Sequence, residues 1–182
     1  MSGGSALWRA WETNLGDLRD TNNVYRQATW AECRFQTELD TWLRNENAGL
    51  VLAGDPEQGK TMSLVLVAVA LKSLNVAYEC WSSRQLFEWL RDPANKGTKV
   101  WRELVSSPYL LIDDLGREYS TEWRDDRFDE IVMERHANQR PMIVTTNLSF
   151  KVMTEIGWGR INWRLRDLAK DGELWIETGK EL

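Results

Sequence analysis

The chain is poor in cysteine and histidine. Cys33 and Cys80 are its only cysteines, and they stand far apart in sequence. That argues against a disulfide scaffold or a Cys-rich zinc site and fits the reduced thiols of a cytoplasmic protein. His136 is the only histidine. It follows the helix face of Val132, a position that suits a structural role better than a catalytic one. No apolar run approaches the ~20 residues of a membrane-spanning helix, so no membrane partner is expected. The first residues, Met1-Ser2-Gly3-Gly4-Ser5, lack the basic start and apolar core of a secretory signal. Positive charge is also scarce. A net charge of −5 argues against a surface coated with phosphate-binding residues. Any nucleic-acid contact must then be local or assembled from several subunits.

What the chain does have is enough for one globular domain: 182 residues, 42% of them hydrophobic. Eleven tryptophans are scattered along it, a distribution that suits core and interface packing better than base stacking. Met1 to about Asn23 is polar and reads as an N-terminal extension. Residues 24–182 read as the folded unit.

The unit is organised around Gly54-Asp55-Pro56-Glu57-Gln58-Gly59-Lys60-Thr61, which fits the phosphate-binding pattern G-x-x-x-x-G-K-[ST]. Its flanks suit it: an apolar run over 49–53 reads as a buried strand, and Thr61 to Leu74 as a helix that is apolar nearly all round. Backbone N–H groups of such a loop converge on one point, where the helix N-terminus adds partial positive charge. Lys60 is placed to reach the β- and γ-phosphates and Thr61 to ligand Mg²⁺. Met62 begins the helix behind them. Gly54 and Gly59 permit backbone conformations and a close phosphate approach that a Cβ would hinder.

Downstream, Tyr109-Leu110-Leu111-Ile112-Asp113-Asp114 is a buried strand that ends in two carboxylates. Asp113 is the candidate Mg²⁺ ligand and Asp114 the candidate base for the attacking water, with Glu118 next in line. Thr145-Thr146-Asn147 ends the following strand, and the Asn147 amide could hold that water and the γ-phosphate in register. Arg160 and Arg164, at i and i+4, share one helix face. They form either a solvated face or a pair that reaches a neighbouring subunit's ATP, where an arginine supplied in trans stabilises developing charge. Around the loop at 92–98 lie Phe87, Trp89, Arg91, Lys96, Lys99, Trp101 and Arg102. This stretch reads either as a surface for single-stranded DNA or as amphipathic helix with its polar face in water.

Helices are expected over Thr29–Asn45, with Phe35, Leu39, Trp42 and Leu43 on one face, from Ser82 or Ser83 to Arg91, and over Lys99–Ser106, Asp126–Gln139 and Gly159–Ala169. Strands are expected over Val76–Trp81, Met142–Thr146 and Leu174–Glu177, besides the two already named. Alternating strands and helices predict an α/β fold: a parallel sheet with helices on both faces and its ligand at the carboxyl strand ends.

These motifs together resemble the AAA+ helicase loaders of the DnaC and DnaI type and the transposition helper ATPases of the IstB type. The stretches GDPEQGKT, LLIDDLGRE, ERHANQRPMIVTTN and GRINWRLRD carry the resemblance, which runs from about Val24 to Ile176. It implies a P-loop NTPase of AAA+ type with ATP and Mg²⁺ as cofactors, Lys60 and Thr61 in Walker A, Asp113 and Asp114 in Walker B, and Asn147 as sensor I. Arg164, with Arg160 beside it, fits the arginine-finger box, and Tyr25 sits where such ATPases cover the adenine. The resemblance further implies a homo-oligomeric ring or spiral and a replicative helicase or a transposase as protein partner. The family's sensor II arginine has no counterpart after the last strand, where only Lys180 is basic. The C-terminal lid is therefore expected to be reduced. Two further readings stay open: an assembly factor whose ATP sets oligomer shape, and a small-molecule kinase, for which no lid insertion is found.

Overall fold

Residues alternating along the strands feed two apolar cores, one on each face of a central sheet. A computed structural model of the chain describes residues 33–45, 47–116 and 122–178, the side chains of 122–125 excepted. The elements run α1 (Gln36–Arg44), β1 (Leu50–Gly54), α2 (Lys60–Ser73), β2 (Tyr78–Ser82), α3 (Ser83–Leu90), α4 (Lys99–Ser106), β3 (Tyr109–Leu115), α5 (Glu122–Ala137), β4 (Met142–Thr146), α6 (Phe150–Met153), α7 (Gly159–Leu168) and β5 (Trp175–Thr178). All neighbouring strands pair in parallel, in the order β2-β3-β4-β1-β5.

Leu50, Leu52, Leu111 and Ile143 face one core, with α1 and α2. Val51, Leu110, Ile112, Met142 and Val144 face the other, with α3, α4, α5 and α7. Period-two alternation between two covered faces makes the strands apolar throughout, which is why they read as continuous hydrophobic runs. The fold is therefore the predicted parallel α/β sheet with helices on both sides. Leu39, Trp42 and Leu43 of α1 are buried on one face, as their spacing requires.

Local chemistry sets several boundaries. Ser82 caps α3 in a capping box with Gln85, and Thr98 caps α4 by accepting from Trp101 N–H. The expected Thr29 cap and Tyr25 lie outside the described residues. α1 begins only at Gln36 and α5 already at Glu122, and two further stretches depart from expectation. β3 continues past Asp113 to Leu115, and the stretch before α7 is ordered as α6 followed by a π-helical turn over Thr154–Trp158. Ser149 starts α6 by accepting from Val152 N–H at 3.2 Å, and Gly157, at φ 97°, breaks the turn. Cys33 and Cys80 are both free thiols.

Candidate nucleotide site

β1, β3 and β4 are neighbours in the sheet, and their carboxyl ends carry the three motifs. The loop after β1 turns directly into α2. Gly59 occupies the N-cap of α2 with φ 86°, a left-handed conformation that suits glycine, and a Cβ there would meet only open space. Gly54 is required for a different reason, one that local sequence does not reveal. A Cβ on it would fall 2.0 Å from the Thr178 carbonyl oxygen of β5, in addition to its φ of 136°. This glycine makes room for the edge strand. Asp55, Pro56 and Glu57 are exposed at the loop tip, Gln58 accepts from Arg34 at 3.1 Å, and Met62 is half-buried on α2.

Lys60 is only 7% exposed, and its ammonium donates to the carbonyls of Gly54 at 2.7 Å and Asp55 at 2.6 Å. Burial lowers its pKa, while the carboxylates of Asp114, Asp55 and Asp113 pull the other way. A buried cation lying across the loop, beside an open left-handed glycine, is the donor set an anionic phosphate chain needs. The Thr61 hydroxyl donates to Asp113 Oδ1 at 3.0 Å, joining α2 to the end of β3. A hydroxyl and a carboxylate are hard oxygen ligands, so the pair fits Mg²⁺.

Asp114 stands at φ 57°. Its N–H donates to Thr145 Oγ1 at 2.8 Å, and its Oδ1 accepts from the Asn147 amide at 2.9 Å. Thr145 also donates to Asp113 Oδ1 at 2.6 Å. The structure thus brings Lys60, Thr61, Asp113, Asp114 and Asn147 to one end of the sheet. Sequence reasoning assigned nothing to Thr145. The signal it could have used is a hydroxyl residue two places before the sensor amide, at the end of an apolar strand.

The arginines stand on α7. Arg160 is exposed, whereas Arg164 pairs with Asp129 of α5 in the same chain. Together with Phe150, Thr154, Gly159 and Trp163 they line a surface pocket. Sequence reading foresaw the shared face and missed the Asp129 partner. The basic-aromatic stretch turns its rings inward: Phe87 and Trp101 are buried and Trp89 is half-buried against Trp81. Arg91 pairs with Glu88, Lys96 with Glu130 and Lys99 with Glu103. His136 bonds Asp167 at 2.6 Å, joining α5 to α7.

No family model matches the chain. The uncharacterized protein YdaV of Escherichia coli (strain K12) is 26% identical over 125 residues, which are 69% of this chain and 44% of that protein. The chain thus spans less than half the length of that relative. Among solved structures, DnaI superposes with a TM-score of 0.60 at 27% identity, over 82% of this chain and 85% of that one. The DnaC helicase loader superposes with a TM-score of 0.60 at 22% identity, over 93% and 97% respectively, a likeness of fold.

Proposed function

We propose, for a chain that belongs with the AAA+ proteins of the DnaC and DnaI type, that it binds Mg·ATP, hydrolyses it where two copies meet, and serves as a loader or helper of a replicative helicase. The observation that carries the ATPase reading is the convergence of Thr61, Asp113, Asp114 and Asn147 through direct hydrogen bonds. Loop N–H groups and Lys60 bind the phosphates. Thr61 and Asp113 would hold Mg²⁺, which would neutralise charge on the phosphate oxygens. Asp114 accepts the proton of the attacking water, and Asn147, already on its carboxylate, orients both.

Arg160 and Arg164 act in trans. In this reading they reach the site of the next copy. The kinase reading would need an arginine working in cis. Mixing two inactive variants tests this. Arg164→Ala is expected to bind ATP and turn it over poorly, and mixing it with Lys60→Ala should restore part of the activity, because one supplies phosphate loops and the other supplies arginines. Arg160→Ala is tested in the same series. No activity at any mixing ratio sinks the trans assignment. For the partner, ATP-dependent co-elution with a replicative helicase, lost in Lys60→Ala, is the expected result. Co-elution with a transposase instead would move the chain to the transposition helpers.

A further inference from the structure

Consecutive residues of a regular strand point to opposite faces of its sheet. Leu111 and Ile112 of β3 do so, each in a different core. Two adjacent carboxylates serving one site therefore require a break in that alternation. The register between β3 and β4 supplies it. Ile112 pairs with Val144 and Leu115 with Thr146, so Asp113 and Asp114 together stand opposite Thr145 alone. This is a β-bulge, two residues against one, and Asp114 takes its left-handed φ of 57° there.

A bulge costs ladder hydrogen bonds, and those polar groups must find partners when they are not solvated. The β4 threonines provide them. The fully buried Thr146 donates to the Leu115 carbonyl at 2.7 Å. The Thr145 hydroxyl, 1% exposed as a residue, accepts from Asp114 N–H at 2.8 Å and donates to Asp113 Oδ1 at 2.6 Å. One hydroxyl thus fixes the backbone of the candidate base and the carboxylate of the candidate metal ligand. Among the described residues, Asp113 Oδ1 accepts from only one other side chain, Thr61. Thr61 is itself assigned to the metal, so Thr145 is the partner that orients this carboxylate without also serving the metal.

We propose that Thr145 is a positioning residue of the nucleotide site, holding Asp113 and Asp114 across the bulge so that the first can take Mg²⁺ while the second stays within reach of Asn147. The proposal rests on the ATPase reading above. A hydrogen-bonding partner of a metal ligand is worth about 10- to 100-fold in metal affinity. The test is a titration of Mg²⁺ against binding of a fluorescent ATP analogue, with thermal melts on the same samples. Thr145→Val keeps the shape and removes the hydroxyl. It should bind the analogue as wild type does without Mg²⁺ and need about 10-fold or more Mg²⁺ to reach full affinity. Thr145→Ser, which keeps both hydrogen bonds, should restore the wild-type midpoint. Thr146→Val should lower the melting temperature without moving that midpoint.

An unchanged midpoint in folded Thr145→Val overturns the proposal, as does a Thr145→Ser variant no better than Thr145→Val. If Thr145→Val does not fold, Thr145→Ala replaces it with the same expected shift. Loss of fold in both would also overturn the proposal, since the hydroxyl would then serve the fold and not the site. A wild-type protein whose analogue binding ignores Mg²⁺ overturns the ATPase reading itself. A wild-type that responds, with variants that match it, overturns only the role of Thr145.

Discussion

Lys60 shows at residue scale how a binding group is kept ready. Its ammonium is buried and satisfied by two loop carbonyls, so a phosphate chain exchanges one set of oxygens for another. Lys60→Ala removes that donor and should abolish tight ATP binding in a calorimetric titration. Its lowered pKa has a consequence for the ligand-free protein. Between the lowered value and the ordinary 10.5, the unfolded chain binds this proton more readily than the folded one. Lys60 therefore adds stability as pH rises through that window, and thermal melts of wild type against Lys60→Ala should differ in slope there. Asp114→Asn is expected to keep nucleotide affinity and lose turnover by about 10²-fold or more, because an amide cannot take the proton. Turnover at the wild-type rate would move the role of base to Glu118.

At the scale of elements, Arg135 joins α5 to the amino ends of β3 and β4. Fully buried, it donates to the carbonyls of Leu104 and Pro141, each at 2.8 Å, and to Ser107 Oγ at 3.2 Å. Burial, and then Arg140, push its pKa down to about 9, which leaves it charged at neutral pH. Arg135→Ala opens a cavity and strands these carbonyls, a loss of about 3 kcal/mol or more measurable by denaturant unfolding. Arg135→Lys should not recover it, since a single ammonium cannot span acceptors at the end of α4 and just before β4 at once. The segment from Phe87 to Arg102 keeps two readings, a surface for single-stranded DNA and a polar face in water. Its aromatics pack inward and three of its cations already pair with carboxylates. Replacing Arg91, Lys96, Lys99 and Arg102 together by Ala should leave the salt dependence of single-stranded DNA binding unchanged. A flatter slope would show that these cations contact phosphates after all.

For the whole molecule, the proposed arginines lie on a helix tied to its own chain by Arg164–Asp129 and His136–Asp167. Beside them Trp163 is 67% exposed. An aromatic of that size next to the exposed Arg160 is the composition of an interface centre. If catalysis needs a second copy, specific ATPase activity should rise with protein concentration. Trp163→Ala should then shift that rise to higher concentration while leaving nucleotide affinity intact. A rate per subunit that ignores concentration would point instead to a site complete in one chain.

The sequence by itself determined the α/β class and the ends of the sheet where chemistry gathers. Apolar strand runs, a glycine-lysine-threonine loop and a paired acid are local patterns, and each element needs only its own residues to be recognised. Ser82 and Thr98 could likewise be read as caps, because a cap is satisfied within one turn. Tertiary structure alone decided what spans elements. Gly54 is glycine because β5 crowds it, Arg135 has acceptors both at the end of α4 and just before β4, and Arg164 finds Asp129 on another helix. The bulge opposite Thr145 belongs with these, because register is a relation between two strands that neither strand's residues state.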